Sequence, residues 1–422
     1  MTTPARRISR LVEPLDAHVR PPGSKSETVR ALAAAALADG RSHIYSPLSA
    51  DDPAAMAGAL RSLGILVDTA SEPWTVDGRG GRLTPPDNPL DANESGLSAR
   101  ILLAMAGSLD GTSRIVGRGR LPERPMSGVV EALRSQGVEV SGDHLPIEVS
   151  GRGHLWGGRL VVDCSESSQF ATAMMLVAPI MHEPCSLQFE GLTGSADYLE
   201  GTASIMSRFG ATVERTTTGY EIANLGYEAS DVVIEPDASA AVYPMAIAAI
   251  TRGKVVIEGL GENSWQPDLR MAAILADMGC RVGWESRQIT VDARDVDLSG
   301  VDVDMSDAPD GALAVAVVAL FATGPSRISG LHSLRLKESD RLQAISEEIH
   351  RIGGGAIIEG DTLIVTPGDL HGAIVDPHGD HRIAMALATA GVEVAGVQVA
   401  DPHVVNKTWP GYWAFLDTLA DA

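Results

Sequence analysis

The sequence predicts an α/β protein in which six related units are divided between two domains. The chain has 422 residues, which is long for a single hydrophobic core. Apolar helical segments alternate along it with short segments of β character. Glycines that follow the helices recur at a period of about 71 residues, which indicates an internally repeated fold.

The first helix of each unit is predicted from a polar start followed by an Ala/Leu-rich run. Such runs are hydrophobic on nearly every face, so we expect these helices to be buried. To within a few residues, they are predicted at Ser26–Gly40, Ser98–Gly111, Ser168–Glu183, Ala238–Gly253, Ala312–Gly324 and His381–Gly391. The glycines at four of these ends lie about 71, 142 and 71 residues apart, so one glycine of the series is missing.

A second helix in each unit ends at a glycine, a residue that suits the left-handed conformation just after a helix. These glycines, at intervals of about 69 to 74 residues, are Gly64, Gly137, Gly210, Gly279 and Gly353. The helices before them, such as Met126–Gly137 and Glu338–Ile352, carry polar faces and should lie on the outside. Short strands are predicted at Ser113–Val116, Lys254–Glu258, Gln288–Val291 and Arg327–Ser329.

The composition limits the possible partners. A net charge of −22 opposes binding to nucleic acid or to an anionic membrane, and aromatic residues, at 4%, are too few for base stacking. The three cysteines, Cys164, Cys185 and Cys280, lack a metal-binding spacing and are expected to be buried thiols. Without a signal peptide or an apolar run of about 18 residues, we expect a cytoplasmic monomer that binds small molecules.

The predicted architecture favours anion binding. If the three buried helices of a domain run parallel, their N-termini emerge on one face, and each carries unpaired N–H groups and about half a positive charge. Two such faces opposed across a cleft would bind anions strongly. The alternative is a repeat scaffold without chemistry.

The residues at the helix starts and in the loops before the second helices support the first interpretation. Eight cations occur at these places: Lys25, Arg30, Arg100, Arg124, Lys337, Arg341, Arg382 and Lys407. Arginine binds carboxylates and phosphates in a bidentate manner, so the set could hold two ligands that bear both groups. Asp237 is interpreted as a helix N-cap. His378, Asp380 and His381 lack further ligands at a workable spacing, so we expect no metal.

Five segments resemble the 5-enolpyruvylshikimate-3-phosphate (EPSP) synthase family. They are Pro22–Ser26, Ser167–Phe170, Leu336–Arg341, Asp380–Met385 and Lys407–Pro410, and the resemblance runs from about Pro22 to Trp413. It implies two inside-out α/β prism domains with three βαβαββ units each, one at residues 20–235 and one at residues 1–19 plus 236–422. It also implies transfer of the enolpyruvyl group of phosphoenolpyruvate to the 5-hydroxyl of shikimate 3-phosphate, without a metal or a cofactor.

The resemblance assigns roles to individual residues. For shikimate 3-phosphate it implies Ser26 and Arg30 at the carboxylate, together with Lys25, Ser167, Ser168, Gln169, Ser195, Tyr198, Asp310, Ser333 and Lys337. For phosphoenolpyruvate it implies Lys25, the Gly96 backbone, Arg124, Gln169, Arg341, Arg382 and Lys407. Asp310 is the implied base on the 5-hydroxyl and Glu338 the proton carrier at C3, and Lys25 shares the acid–base work. His381 either orients Glu338 or the leaving phosphate or is a buried structural imidazole.

One loop departs from the family pattern. The sequence has Glu94 where the family usually has Asn, Leu97 where it has a hydroxyl, and Ile101 where many members have Pro; Ser333 also stands at a position that is commonly Asn. These changes lead us to expect weakened inhibition by glyphosate, which occupies the phosphoenolpyruvate pocket in this family. They are also compatible with a paralogue that acts on a related cyclohexene phosphate.

Two further alternatives remain at this stage. A UDP-N-acetylglucosamine enolpyruvyl transferase usually carries a reactive cysteine in the loop of its second unit, and Arg118–Pro125 contains none. A non-catalytic anion-binding protein would have no reason to keep Asp310 and Glu338 among cations, because each carboxylate weakens anion binding. Release of phosphate on mixing both substrates would separate these readings.

Overall fold

The structure, a computed structural model, describes residues 4–191, 194 and 196–421. The chain divides into two compact units, Gly23–Ile234 and Met1–Pro22 with Glu235–Ala422. The helices of the first are α1 (Lys25–Leu37), α2 (Asp51–Ser62), α3 (Gly96–Gly107), α4 (Ser127–Ser135), α5 (Gln169–Val177) and α6 (Asp197–Arg208). Those of the second are α7 (Ala238–Ile250), α8 (Arg270–Asp277), α9 (Ala312–Ala319), α10 (Arg341–Arg351), α11 (His381–Gly391) and α12 (Tyr412–Asp421).

Short 3₁₀ helices precede or extend several of the α-helices. They are Leu121–Glu123, Ala178–Ile180, Pro267–Leu269, Pro309–Gly311, His332–Leu336 and Pro402–Lys407. Five of these have a proline in their first two positions; among them, Ala178–Ile180 extends α5 and the other four precede an α-helix.

The described residues of the unit 23–234 form three sheets. In spatial order, the strands of the first are Tyr227–Glu228, Ala38–Tyr45, Trp74–Arg79 and Leu66–Asp68, and Asp231–Val233 also pairs with Ala38–Tyr45. The second sheet has the order Leu90–Asp91, Asp110–Val116, Ile147–Arg152 and Glu139–Val140. The third has the order Gly158–Asp163, Cys185–Glu190, Gly219–Ile222 and Val213–Arg215.

The other unit contains three sheets of the same kind. Their orders are Asp16–Val19, Lys254–Glu258, Gln288–Asp292 and Arg281–Glu285; then Asp302–Asp304, Ser326–Ser329, Thr362–Thr366 and Gly355–Glu359; then Ile374–Val375, Gln398–Val399 and Arg6–Arg7. In every sheet a parallel pair is followed by an antiparallel neighbour. The six predicted repeats are therefore confirmed, and each has the predicted α/β composition.

The first helix of each repeat connects or covers the parallel pair and is buried, as predicted. All residues of α3, α9 and α11 are buried, and α1 is buried from Glu27 onward. The second helices are amphipathic: α10, for example, buries Leu342, Ile345 and Ile349 and exposes Glu347. Each unit has one continuous hydrophobic core, in which the three first helices pack together.

The predicted ends of two helices are wrong. Gly40 and Gly111 lie in strands, at φ values of 110° and 143°, and face Gly78 and Gly151 across the antiparallel pairs. A Cβ at either partner would come within 2.4 Å of a backbone oxygen, so the chain leaves the helix directly into a strand that passes close to the helix end. The glycines after the second helices are confirmed as left-handed, with φ between 77° and 111°.

The three cysteines are free and buried, as predicted. Burial raises the pKa of Cys164 and Cys185 to about 12 and that of Cys280 to about 11, so these thiols are poor nucleophiles. Among the described residues, no helix combines the length and the apolar character that crossing a membrane requires.

Candidate active site

In the unit of residues 23–234, the starts of α1, α3 and α5 lie side by side. Arg30 Nη2 donates to Thr172 Oγ1 at 3.3 Å, which joins α1 to α5, and Arg100 Nη1 donates to Gln169 Oε1 at 2.6 Å, which joins α3 to α5. Because these residues all lie in the first two turns of their helices, the three helices run parallel with their N-termini at one end. That end carries the positive partial charges expected of an anion site.

Arg30 is a buried cation with uncharged hydrogen-bond partners. Its guanidinium donates to Thr202 Oγ1 at 2.8 Å, to Thr172 and to the backbone oxygens of Ser26 and Tyr198. Burial lowers the pKa of Arg30 to about 10, although Tyr198 and Glu27 act in the opposite direction. A carboxylate ligand would restore the electrostatic balance of this guanidinium, which supports its predicted role as an anion clamp.

Lys25 faces a carboxylate that the sequence analysis did not identify. Its Nζ lies 3.3 Å from Asp52 Oδ2, and Asp52, in the first turn of α2, is buried. A lysine at the start of a helix is electrostatically unfavourable unless an anion lies nearby, and the Asp52 carboxylate is such an anion. Asp52 therefore sets the position and the charge balance of Lys25.

Gly96 and Arg124 are in close contact. Gly96 is the first residue of α3, and a Cβ at this position would lie 2.7 to 2.8 Å from three atoms of the Arg124 guanidinium. Arg124 itself is buried. The Arg124 guanidinium thus lies directly against the start of α3, a place that only glycine leaves open.

Arg100 organises the same end of α3. Besides Gln169, it donates from Nη2 to the backbone oxygen of Pro125 at 2.8 Å, and its guanidinium carbon lies 4.9 Å from the Phe170 ring centroid. Arg100 therefore connects the loop that carries Arg124 to the start of α5, and these hydrogen bonds are made within the protein.

The polar residues predicted before α5 lie at its N-terminus. Ser167 Oγ accepts from the backbone N–H of Gln169 at 3.2 Å, and Ser168 is buried as the residue before the helix. Tyr198 is partly buried in the first turn of α6. Ser195, also predicted here, lies outside the described residues.

In the other unit, the starts of α7, α9 and α11 also lie together. Arg382 in the first turn of α11 donates from Nη1 to the Ser239 backbone oxygen of α7 at 3.5 Å, and its Nη2 lies 2.9 Å from Asp310 Oδ2 in the turn before α9. The three helices of this unit are thus parallel as well. The N-cap predicted at Asp237 is confirmed, since its side chain accepts from Ala240 N at 3.1 Å.

Asp310 lies among three cations. Its Oδ1 is 2.9 Å from Arg341 Nη1 and 3.3 Å from Lys337 Nζ, and its Oδ2 contacts Arg382. The cations hold the carboxylate in one orientation and stabilise its charge. The predicted base and three of the predicted ligand-binding cations are therefore brought together.

Arg341 connects the acidic residues of this cluster. It donates from Nη2 to Glu338 at 2.7 Å and from Nε to Asp380 at 2.7 Å, in addition to its contact with Asp310. Burial opposes its charge, but the three carboxylates together raise the pKa of Arg341 above its ordinary value. Its guanidinium is a fixed cation to which the two predicted acid–base residues, Asp310 and Glu338, are both attached.

The remaining predicted residues lie near this cluster in the fold. His381 is fully buried, with Nδ1 3.5 Å from Asp380 Oδ1, and Lys407 is buried at the end of its 3₁₀ helix. Ser333 is partly buried in the 3₁₀ helix His332–Leu336. Nowhere in the described part of the chain do three or more His, Cys, Asp or Glu side chains form a group that could hold a metal ion.

Two carboxylates at equivalent places in the repeat escaped the sequence analysis. Asp52 lies in the first turn of the second helix of the first repeat, and Asp268 lies in the 3₁₀ turn directly before the second helix of the fourth. The other four repeats have predicted site residues at or just before the start of this helix. The register of the repeat was thus the signal that could have identified both.

The chain matches known proteins over nearly its whole length. Residues 10–416 match the model of the family described as EPSP synthase (3-phosphoshikimate 1-carboxyvinyltransferase). A 3-phosphoshikimate 1-carboxyvinyltransferase of Methanoculleus marisnigri is 38% identical over 412 residues, which cover 96% of each chain. One of Rhizobium etli is 36% identical over 417 residues, which cover 96% of this chain and 95% of the other.

Solved structures show the same fold. EPSP synthase from Acinetobacter baumannii superposes with a TM-score of 0.83 at 24% identity, over 99% of this chain and 98% of the other. The enolpyruvyl transferase NikO from Streptomyces tendae superposes with a TM-score of 0.77 at 18% identity, again over 99% and 98%. With the family model and the curated relatives taken together, the chain belongs to the EPSP synthase family.

Proposed function

We propose that this protein transfers the enolpyruvyl group of phosphoenolpyruvate to the 5-hydroxyl of shikimate 3-phosphate, giving 5-enolpyruvylshikimate 3-phosphate and phosphate. This is the shikimate-pathway step that supplies aromatic amino-acid biosynthesis. The observation that carries the proposal is the cluster of Asp310 with Lys337, Arg341 and Arg382, in a chain of this family. Asp310 is positioned to take the proton of a hydroxyl, and the three cations around it are positioned to bind multiply charged ligands.

The chemistry needs a proton donor and a proton acceptor. C3 of phosphoenolpyruvate gains a proton, the 5-oxygen bonds to C2, and the hydroxyl proton passes to Asp310. The tetrahedral adduct then loses a proton from C3, and the bond from C2 to the phosphate oxygen breaks. We assign the proton transfer at C3 to Glu338, which lies 2.7 Å from Arg341, and a share of the acid–base work to Lys25.

In the unit of residues 23–234, we assign Ser26 and Arg30 to the carboxylate of shikimate 3-phosphate. Ser167, Ser168 and Ser195 bind its phosphate, with Tyr198 beside them. Lys25, the Gly96 backbone and Arg124 bind phosphoenolpyruvate, and Gln169 contacts both ligands. The buried guanidinium of Arg30 and the adjacent N-termini of three parallel helices support these assignments.

In the other unit, we assign Lys337 and Ser333 to shikimate 3-phosphate and Arg341, Arg382 and Lys407 to phosphoenolpyruvate. Asp310 is the base. His381 is fully buried beside Asp380, and we assign it either to orienting Glu338 or the leaving phosphate or to a structural role. Because the substrates are water-soluble anions and the net charge is −22, we place the enzyme in the cytoplasm, as a monomer without a nucleic-acid or membrane partner.

The proposal is tested by measuring phosphate release when both substrates are mixed with the enzyme. We expect release only when both are present. The variants Asp310→Asn and Glu338→Gln keep the shape of each side chain, and each should lower kcat at least about 100-fold, because each removes a proton-transfer group. Full turnover by both variants would show that the assigned roles are wrong.

The same assay separates the alternatives. Release with UDP-N-acetylglucosamine or with another cyclohexene phosphate in place of shikimate 3-phosphate would indicate a different acceptor. No release with any acceptor would favour a non-catalytic anion-binding protein.

A further inference from the structure

Asp268 is a buried carboxylate to which the proposed chemistry gives no role. It lies in the 3₁₀ turn Pro267–Leu269 before α8, and its residue is only 2% exposed. A buried carboxylate is costly unless it is hydrogen-bonded and paired with opposite charge. In four other repeats, the segment at this place supplies residues of the proposed site.

The hydrogen bonds of Asp268 join the starts of two buried helices. Its Oδ1 accepts from the backbone N–H of Gly311 at 3.1 Å, and its Oδ2 accepts from the hydroxyl of Ser239 in the first turn of α7. Gly311 directly follows Asp310. A Cβ at Gly311 would lie 3.3 Å from Asp268 Oδ1, which shows how closely the turn is held.

Asp268 supplies a cap that the turn itself lacks. The 3₁₀ helix Pro309–Gly311 and the following α9 have no side-chain cap from their own N-cap residues. The first N–H groups of a helix need acceptors, and a negative charge at this end is favourable. Asp268 provides both from a different repeat.

The charge of Asp268 also acts on Asp310. Lys337, Arg341 and Arg382 surround Asp310, and such surroundings make a carboxylate a weak base. Burial and the neighbouring charge of Asp310 raise the pKa of Asp268, whereas Arg382 and Ser239 lower it and Asp237 raises it. Electrostatic interaction is mutual, so the charge of Asp268 in turn favours the protonated form of Asp310.

We propose that Asp268 is a positioning residue for the reaction, which holds the Pro309–Gly311 turn and keeps Asp310 basic enough to accept the proton of the 5-hydroxyl. This inference rests on the proposed function, and in particular on Asp310 as the base. Asp268 acts through Asp310 and needs no contact with either substrate.

The variant Asp268→Asn tests the charge separately from the shape. Its side-chain oxygen can still accept from Gly311, and its amide can donate to Ser239. Because one negative charge is removed, Asp310 should lose its proton at lower pH: the acid limb of the kcat profile should shift down by roughly one pH unit. The maximal kcat should fall about tenfold because the base is weaker, with both KM values within about twofold of the wild type.

Asp292→Asn is the matched control in the same unit. Asp292 also accepts from a backbone N–H, that of Arg294 at 3.1 Å, and faces Arg281 and Arg294, but it lies at the end of the strand Gln288–Asp292. If loss of a carboxylate only disturbs the structure, Asp292→Asn should show the effect on stability, and its pH profile of kcat should match that of the wild type. A shift in Asp268→Asn alone supports the proposal.

An acid limb of Asp268→Asn that coincides with that of the wild type would overturn the inference. If this variant does not fold, Ser239→Ala gives a second test: it leaves the charge but removes one hydrogen bond of Asp268, and unchanged kcat would overturn the positioning role. The two proposals fail differently. A wild-type enzyme that releases no phosphate refutes the proposed function, whereas an active wild type with an unaltered Asp268→Asn profile refutes only the role of Asp268.

Discussion

The contact between Gly96 and Arg124 gives a sharp prediction for Gly96→Ala. The new methyl group would lie 2.7 Å from Arg124 Nη2, and ordinary contact begins at about 3.4 Å. The guanidinium must therefore move by about 0.7 Å, a displacement that matters for a group to which we assign a charged ligand. Gly96 is not among the glycines with positive φ, so alanine fits its backbone without strain.

The expected cost follows from the bonds that Arg124 would lose. One charge-assisted hydrogen bond contributes about 1.5 to 3 kcal/mol, which corresponds to roughly a 10- to 100-fold change in affinity. We therefore expect the KM for phosphoenolpyruvate to rise by that factor, with the KM for shikimate 3-phosphate nearly unchanged. The thermal midpoint should stay equal or rise, because alanine favours a helix more than glycine does.

Steady-state phosphate release at saturating shikimate 3-phosphate measures the effect, and calorimetry measures the midpoint. Gly58→Ala is the control, because a Cβ at this position in α2 meets nothing within 4 Å. It should raise stability by up to about 1 kcal/mol and leave the kinetics unaltered. A KM for phosphoenolpyruvate within twofold of the wild type in Gly96→Ala would refute the assignment of Arg124, and an equal rise of both KM values would indicate general distortion instead.

Two further predictions concern the loop at α3 and the support of α11. Leu97 is buried in the first turn of α3, at a position where the family has a hydroxyl, so we expect glyphosate to inhibit the wild type weakly. Leu97→Thr should be inhibited more strongly. Tight inhibition of the wild type, competitive with phosphoenolpyruvate, would contradict this prediction. Glu348 is 0% exposed and accepts from Asp376 N at 3.0 Å and from Arg351 Nε at 2.7 Å. Glu348→Ala should therefore lower the free energy of unfolding by about 2 kcal/mol in a urea titration, because it removes both hydrogen bonds and leaves a cavity. Glu347→Ala, at the exposed neighbouring residue, is the control. Equal stability of the two variants would show that the buried contacts of Glu348 do not stabilise the fold.

Much of the fold follows from local sequence patterns. The starts of the first helices are predictable because apolar runs with polar starts have few other conformations, and the left-handed glycines after the second helices follow from the missing Cβ. Gly40 and Gly111 show the limit of this reasoning. Their place in strands depends on the partner strands carrying Gly78 and Gly151, which lie about 40 residues away and cannot be paired from local pattern alone.

Residues of the candidate site could be predicted where they belong to a sequence motif. They could not be predicted where only a tertiary contact places them in the site. Lys25, Asp310 and Arg341 lie in segments whose charge pattern is unusual, whereas Asp52 and Asp268 resemble ordinary acidic residues near helix starts. Their importance depends on tertiary contacts, with Lys25 for the first and with Ser239 and Gly311 for the second. Only the register of the repeats connects such residues before a structure is known.

The strands at the beginning of the chain belong to sheets that are completed by distant residues. Asp16–Val19 pairs with Lys254–Glu258, and Arg6–Arg7 pairs with Gln398–Val399. At ribosomal rates of about 5 to 20 residues per second, Asp16–Val19 waits roughly 10 to 50 seconds for its partner, and Arg6–Arg7 waits longer still. During translation, residues 23–234 can already condense while the preceding segment remains extended. The arginines of that segment hinder aggregation at this time, since charged side chains keep an unpaired strand from pairing with strands of other nascent chains.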